Sequence, residues 1–209
     1  MDSGIIIANP NAPTGLLLKL NEIEEIIKTN KNNVVIIDEA YIDFGGESAI
    51  KLINESDNLL VVQTFSKSRS LAGMRLGFAL GNKELIKGLK NIKFSFNSYT
   101  INRFSILAGI EAFKDEEYFK KSVSKIIKTR EKTKEELKKL NFKVLDSKSN
   151  FLFISHNKVF AEDIYLKLKD KGILVRYFKQ DIIKDFIRVT IGTDEEMIIF
   201  INVLKEIID

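Results

Sequence analysis

Val34-Val35-Ile36-Ile37-Asp38-Glu39-Ala40-Tyr41 is the stretch that decides the fold, because an apolar run ends there on a carboxylate. Four β-branched residues in succession are typical of a strand that is buried on both faces. Comparable runs occupy residues 5–8, 59–62 and 76–80, and residues 19–30 carry apolar side chains at the spacing of a helix face. Such strands, separated by helices, predict an α/β fold in which a mostly parallel sheet is flanked by helices.

The second half of the chain has a different order of elements. A helical pattern covers residues 104–140 with a break near Lys114-Asp115, and Thr193 and Glu196 have the spacing of a capping box. Strands are predicted at 143–145, 151–154, 173–176 and 186–190, and helices at 160–171 and 193–208. We therefore predict a partial large domain at 1–100 and a smaller α+β domain at 101–209, with the boundary near the polar stretch 96–100.

The composition excludes several classes of function. The chain has 209 residues and no cysteine, which excludes disulfides, thiolate catalysis and cysteine-ligated zinc. Its single histidine, His156, is expected in a surface turn and argues against a histidine metal site and a Ser-His-Asp triad, so no metal is predicted. The net charge of +4 is mild and lysines alternate with glutamates at 131–136, so we expect no nucleic-acid partner. Without a span-length apolar run or a signal peptide, we expect a cytoplasmic protein with no membrane partner.

A lysine lies in a hydroxyl-rich turn directly after the third predicted strand, in Thr64-Phe65-Ser66-Lys67-Ser68-Arg69-Ser70-Leu71. A lysine amine can form a Schiff base with an aldehyde cofactor, and serine hydroxyls together with Arg75 can hold a phosphate dianion. Taken alone, the turn is better explained as a solvated basic loop, because 30% of the chain is charged. The segments after the first two strands change that balance.

These segments place further polar groups at strand ends. The loop Asn9-Pro10-Asn11-Ala12-Pro13-Thr14-Gly15 holds both prolines of the chain, so it is rigid, and it is either a binding loop or a simple strand-to-helix turn. Asp38 follows an apolar strand and is expected to be partly buried and to need a cationic partner, with a helix N-cap as the alternative. Tyr41, three residues on, either donates a hydrogen bond to an oxygen of the ligand that pairs with Asp38 or packs in the core.

Together the three segments supply the groups that a pyridoxal 5'-phosphate site requires, at the carboxyl ends of strands, where α/β sheets bind ligands. Lys67 would form the Schiff base, Asp38 would keep the ring nitrogen protonated, and Tyr41 would hydrogen-bond the phenolic oxygen of the ring. Ser66 and Arg75 would bind the phosphate.

These motifs, with Gly73-Met74-Arg75-Leu76-Gly77, resemble those of the fold-type I pyridoxal-phosphate aminotransferases, and within them those of the histidinol-phosphate aminotransferases. Residues 149–151, 172–176 and 187–193 extend the resemblance over essentially the whole chain. It implies an enzyme that transaminates histidinol phosphate with 2-oxoglutarate and glutamate, in histidine biosynthesis. It also implies a small-molecule substrate and a homodimer, since the sites of this family lie at subunit interfaces.

The resemblance implies roles for three more residues. Arg188 matches the arginine that binds the substrate carboxylate, and Arg176 matches a position associated with the phosphate of the substrate; a solvated strand-end charge is the alternative for both. Many relatives have an asparagine directly before Pro-Thr-Gly that bonds the cofactor ring oxygen. This chain has Ala12 there, and the adjacent Asn11 is the candidate that replaces it.

The resemblance also implies a missing part. Relatives carry an N-terminal portion that supplies an arm over the substrate, a helix N-terminus for the cofactor phosphate and an aromatic that stacks on the ring. No counterpart precedes Ile5, so we expect the carboxyl-terminal part of such an enzyme. Two alternatives stay open: a decarboxylase of a phosphorylated amino acid such as threonine phosphate, and a folded module that turns nothing over.

Overall fold

The computed structural model describes residues Ser3 to Ile208; Met1, Asp2 and Asp209, at the outer ends of the two predicted domains, lie outside that range. The chain divides into two compact units, the first containing residues 1–11 and 17–122 and the second residues 12–16 and 123–209. The division after residue 122 falls inside a long helix. The domain boundary near residue 100 stays a prediction.

The first unit is built on a four-stranded sheet in the order β1-β2-β3-β4. Its strands are β1 (Ile5–Ala8), β2 (Val35–Asp38), β3 (Leu59–Thr64) and β4 (Gly77–Gly81). β1, β2 and β3 run parallel, and β4 is antiparallel to β3. Its helices include α1 (Leu20–Thr29), α2 (Lys83–Phe96) and α3 (Arg103–Lys114), with 3-10 turns at Ile42–Phe44, Ala49–Glu55 and Ala72–Met74. This topology confirms the predicted α/β class with a mostly parallel sheet.

Alternate residues of the parallel strands form the core of the first unit. Val35 and Ile37 of β2 pack in one apolar cluster with Ile23 and Ile27 of α1. The two isoleucines are four residues apart, so they lie on one face of the helix. On the opposite face of the sheet Ile6 is 72% exposed, so the expectation that both faces are covered is wrong at β1 for the part of the chain that the structure describes.

The second unit contains an antiparallel sheet in the order β5-β6-β8-β7. Its strands are β5 (Phe142–Val144), β6 (Phe151–His156), β7 (Arg176–Tyr177) and β8 (Ile187–Thr190). Its helices are most of α4 (Glu116–Lys139), α5 (Ala161–Asp170) and α6 (Asp194–Ile208). Leu152, Leu168 and Leu204 are fully buried in one cluster between sheet and helices. These elements confirm the predicted α+β fold of the second half.

The ends of several elements follow from local hydrogen bonds. The predicted helix break lies at Asp115, whose carboxylate accepts from Tyr118 N over 3.1 Å and so caps α4. The predicted strand 173–176 is too long, because only Arg176 and Tyr177 pair with β8. Ile173 N still donates to Leu168 O over 2.9 Å at the end of α5, as in a Schellman motif, and Gly172 has a φ of 78° there.

The helices carry exposed charged faces. In α4, Lys120 pairs with Glu116 and Lys139 with Glu136, and all four side chains are at least 40% exposed. Exposed pairs of this kind contribute little to stability, and they fit the solvated face predicted for 131–136. No helix within residues 3–208 combines the length and the apolar composition that crossing a bilayer requires.

The capping box at α6 yields a prediction of stability. Thr193 N donates to Glu196 Oε2 over 2.7 Å, and Glu196 N donates to Thr193 Oγ1 over 3.2 Å. Thr193→Ala leaves Glu196 N without that acceptor, so the free energy of unfolding measured with urea should fall by about 1 kcal/mol.

The matched control is Ser124→Ala, which removes an exposed hydroxyl from the interior of α4. Alanine favours a helix interior over serine, so this variant should lose no stability. Equal losses in both variants would contradict the role of the capping box.

Candidate functional site

The register of the first sheet brings three strand ends to one edge. Ala8 pairs with Asp38, and Asp38 pairs with Val62. Beyond these positions, Asn9 N donates to Asp38 O and Glu39 N to Val62 O, each over 2.8 Å, so the pairing continues into the loops. The polar segments predicted to form the site therefore leave the sheet from neighbouring strands at its carboxyl edge.

The loop after β1 is held by a buried asparagine. Asn9 is 1% exposed; its Oδ1 accepts from Leu18 N over 2.7 Å and its Nδ2 donates to Leu18 O over 3.2 Å. This closes the loop that contains both prolines. Asn11 is exposed and belongs to the first unit, whereas Ala12 belongs to the second. The assignment of Asn11 to the cofactor stays a prediction.

Asp38 is half-buried at the end of β2, as predicted. Its Oδ1 accepts from Ala40 N over 3.0 Å, and it forms no ion pair with any residue from Ser3 to Ile208. Tyr41, three residues on, is half-buried, and Lys67 Nζ lies 5.3 Å from the centroid of its ring. The structure thus brings Tyr41 and Lys67 together beside the strand that ends at Asp38.

Glu39 is a buried carboxylate that the sequence analysis passed over. It is 2% exposed and accepts three hydrogen bonds of 2.6 to 2.8 Å, from Ser48 Oγ, Ala49 N and Gln63 Nε2. Burial raises the pKa of Glu39 above its usual value, against the opposing effect of these hydrogen bonds. Glu39 therefore holds the segment between Asp38 and Tyr41 to β3, four residues before Lys67. Its sequence pattern alone gave no sign, because its partners lie 9 to 24 residues away.

The turn that carries Lys67 is fixed by its neighbours. Leu71 N donates to Phe65 O over 2.9 Å and closes the turn. Ser68 is 6% exposed and donates to Asp43 Oδ2 over 2.5 Å. Lys67 itself is exposed, so its amine is accessible at the edge of the sheet.

Ser66 and Arg75, the predicted phosphate ligands, lie on either side of this turn. Ser66 N donates to Thr64 Oγ1 over 3.0 Å, and Thr64 Oγ1 donates to Ser66 Oγ over 2.9 Å. Arg75 is exposed and has a φ of 53°, the left-handed conformation that a residue other than glycine rarely adopts. Its guanidinium donates to Ala72 O over 2.9 Å. Left-handed residues of this kind cluster at ligand sites.

Arg176 and Arg188 lie directly opposite one another in the second unit, on β7 and β8. The guanidinium carbon of Arg188 is 5.1 Å from the ring centroid of Phe151 and 5.9 Å from that of Phe178, and that of Arg176 is 5.5 Å from Phe178. Arg188 Nε is buried and has no hydrogen-bond partner in residues 3–208. Neither arginine forms an ion pair with any residue from Ser3 to Ile208. Two unpaired cations on neighbouring strands favour an anion, and an unsatisfied buried donor calls for an acceptor.

No group of three histidine, cysteine or acidic residues that could hold a metal ion occurs among residues 3–208. His156 ends β6, and its Nδ1 accepts from Lys158 N and Val159 N over 3.3 and 3.2 Å. These bonds close the turn after the strand, so the histidine has a structural role at the surface turn where it was expected.

The α/β fold and the polar groups at the carboxyl edge of its sheet fit the family of enzymes that comparison with known families identifies. Residues 2–204 match the family described as aminotransferase class I and II. The chain belongs to this family.

Among the relatives, the chain is 74% identical over 209 residues to the histidinol-phosphate aminotransferase of Brachyspira hyodysenteriae. The match covers 100% of this chain and 59% of that protein. Its structure is similar to that of the Clostridium acetobutylicum histidinol-phosphate aminotransferase, with a TM-score of 0.89, 30% identity, and coverage of 99% of this chain and 64% of that one. It is also similar to the structure of the Sinorhizobium meliloti histidinol-phosphate aminotransferase in complex with pyridoxal-5'-phosphate. The TM-score is 0.88 and the identity 25%, and the match covers 99% of this chain and 57% of that one. The chain thus spans about three fifths of the length of these relatives.

The raised pKa of Glu39 yields a prediction of pH dependence. A carboxyl whose folded-state pKa is raised stabilises the fold fully below its unfolded pKa, about 4.3, and this contribution is lost as pH rises through the folded-state value. Glu39→Gln removes the titration. The difference in unfolding free energy, parent minus variant, should therefore fall as pH rises from about 4 to 7.

Urea unfolding of both proteins across this range measures the difference. Because the two proteins share every other titratable group, the change isolates Glu39. A difference that stays constant with pH, or that rises, would show that Glu39 has no raised pKa.

Proposed function

We propose that this chain carries the lysine site of a pyridoxal-phosphate-dependent aminotransferase that acts on histidinol phosphate with 2-oxoglutarate and glutamate, in histidine biosynthesis. The observation that carries the proposal is the accessible amine of Lys67, 5.3 Å from the Tyr41 ring, beside the strand that ends at Asp38. Membership of the aminotransferase family and 74% identity to a histidinol-phosphate aminotransferase support it.

The groups at this edge fit the cofactor. Asp38 is a half-buried carboxylate without an ion pair in the described part of the chain, and it suits a protonated ring nitrogen. Lys67 supplies the amine that bonds an aldehyde, and the Tyr41 hydroxyl supplies a donor for a ring oxygen. Ser66 and Arg75 supply a hydroxyl and a cation for a phosphate. Asn11 is the further candidate for the ring oxygen.

When bound, pyridoxal phosphate supplies an electron sink for the pair of electrons left behind when a proton leaves the α-carbon of the substrate. Lys67 Nζ, once uncharged, is the base that accepts this proton and later returns it. The carboxylate of Asp38 would keep the ring nitrogen of the cofactor protonated, because a negative charge in a partly buried site favours the protonated form of a neighbouring group. The Tyr41 ring lies against the Lys67 amine and limits its positions.

The arginine pair of the second unit suits the anionic groups of the substrates. A guanidinium binds a carboxylate through two parallel hydrogen bonds, and Arg188 has a free buried Nε for such a bond. Histidinol phosphate has a phosphate and no carboxylate, whereas glutamate and 2-oxoglutarate have two carboxylates. We assign Arg188 to a carboxylate of glutamate and 2-oxoglutarate, and Arg176 to the phosphate of histidinol phosphate.

The setting of the activity is also a proposal. We propose a cytoplasmic homodimer that works on small molecules, supported by the family to which the chain belongs. Residues 1–100 and 101–209 would be the cofactor-binding and small domains.

A decarboxylase of a phosphorylated amino acid is the second candidate. It is favoured by the likeness to a solved decarboxylase from Sulfurospirillum multivorans, at 27% identity and a TM-score of 0.86. Threonine phosphate labelled in its carboxylate distinguishes the two, because a decarboxylase releases labelled carbon dioxide from it, whereas an aminotransferase leaves the label in the organic product. Released label would overturn the transamination proposal.

Lys67→Ala should remove the visible absorbance that pyridoxal phosphate acquires when it bonds a lysine of this protein, because the variant lacks the amine that lies 5.3 Å from the centroid of the Tyr41 ring. Absorbance spectra of the parent and the variant, each mixed with the cofactor and desalted, measure the change.

The control is Lys31→Ala, an exposed lysine after α1, which should leave the absorbance as in the parent. Absorbance that persists in Lys67→Ala would overturn the assignment. A parent without absorbance would favour the module that turns nothing over.

Arg188→Met should weaken 2-oxoglutarate binding by roughly tenfold to a hundredfold, the loss expected for hydrogen bonds to a charged group. Calorimetric titration of the cofactor-loaded protein measures the affinity. Lys179→Met, at an exposed cation three residues after Arg176 in the chain, should leave the affinity within about twofold. Equal affinities for parent and Arg188→Met would contradict the assignment.

A further inference from the structure

The turn that carries Lys67 contains a second cation, Arg69, that the proposed function does not use. Its guanidinium donates from NH1 to Ala112 O over 2.6 Å. Its central carbon lies 3.8 Å from the ring centroid of Phe119 and 5.4 Å from that of Phe113. At 3.8 Å the planar guanidinium is in direct contact with the aromatic face. Arg69 thus makes three contacts with the junction of α3 and α4.

The end of α3 is suited to a cation. Ala112 lies in the last turn of that helix, where carbonyl groups have no partner within the helix and the helix dipole is negative. α3 ends at Lys114 with Asp115 as its C-cap, and α4 begins at Glu116. An arginine that donates to Ala112 O therefore satisfies a carbonyl that the helix leaves open.

α3 is itself fixed against the loop that follows Arg69. Ser105 is 1% exposed, and its hydroxyl donates to Met74 O over 2.8 Å. A Cβ on Gly109 would lie 2.3 Å from Leu76 Cδ2, so the side chain of Leu76 packs directly on the helix backbone at this glycine. The contacts of Arg69 therefore join the lysine turn to a helix that already packs on Met74 and Leu76, on both sides of Arg75.

The side chain of Lys67 has little support of its own. It is exposed, and among residues 3–208 the contact of its amine is with the Tyr41 ring, at 5.3 Å from the ring centroid. The position of its amine is therefore set by the backbone of the turn. Ser68, next in the chain, holds that backbone to Asp43, and Arg69 holds it on the other side to Ala112.

We propose that Arg69 is a positioning residue, which fixes the Lys67 turn to the α3–α4 junction and so places the Lys67 amine beside Tyr41. The proposal rests on the proposed role of Lys67. Without the contacts of Arg69 the turn gains freedom, so the amine meets an aldehyde in the productive orientation less often. The reaction of Lys67 with the cofactor then slows, although Arg69 contacts neither.

Two variants and a control test this role. Arg69→Met keeps the length of the side chain and removes the charge and the hydrogen bond, whereas Arg69→Lys keeps the charge and removes the planar contact with Phe119. Arg103→Met is the matched control, since Arg103 is exposed at the start of α3 and forms no ion pair or side-chain hydrogen bond with residues 3–208.

Two readouts need no turnover. Hydrogen exchange by mass spectrometry on the cofactor-free protein reports the freedom of residues 66–71. Timed borohydride reduction after addition of pyridoxal phosphate reports the rate at which Lys67 bonds the aldehyde. In Arg69→Met we expect the exchange to rise and the rate to fall by about tenfold each, the scale expected for loss of orientation. Arg69→Lys should lie between, and Arg103→Met should match the parent.

Unchanged exchange and unchanged rate in Arg69→Met would overturn the proposal. So would an equal rise of exchange in β1, β2 and β3, because Arg69 would then act on the stability of the whole unit. If the parent forms no adduct at Lys67, the proposed function fails; in that case the exchange of the cofactor-free protein decides separately whether Arg69 holds the turn.

Discussion

The parallel pairing of β1, β2 and β3 is the constraint on which the rest of the candidate site depends. Val35 and Ile37 are buried against α1, so Asp38 emerges at the end of the strand, level with Ala8 and Val62. Side chains alternate along a strand, and a slip of one residue would turn the whole apolar set away from the core. Burial of apolar side chains thus decides where a carboxylate and, one strand further, a lysine turn come to lie.

Polar groups in this chain fall into two kinds. Asn9, Glu39 and Ser68 are buried and their side chains are hydrogen-bonded within the first unit, so they hold loops in place. Asp38 has no ion pair, and Arg188 has a buried donor without an acceptor, within the residues that the structure describes. A partly buried carboxylate without a cation, or a buried donor without an acceptor, costs free energy, and a ligand that supplies the missing partner offsets this cost. The second kind therefore marks the groups that we assign to cofactor and substrate.

The sequence predicted features that depend on near neighbours and on periodicity. The β-branched runs gave the parallel strands, Asp38 emerged at a strand end, and the Thr193–Glu196 spacing gave the cap of α6. Features that depend on distant partners were not predictable. The bond of Arg69 reaches Ala112, 43 residues on, and no local pattern announces it. The start of β7 was misplaced because residues 173–175 are apolar like a strand, yet Ile173 is still bound to the end of α5.

Locating the lysine that bonds the cofactor tests the proposed role of Lys67 most directly. The protein is mixed with pyridoxal phosphate, reduced with borohydride and digested, and mass spectrometry identifies the modified peptide. We expect the modification on Lys67, because its amine is exposed beside Tyr41 at the carboxyl edge of the sheet. Modification spread over the exposed lysines of the helices, or concentrated on a different lysine, would contradict it.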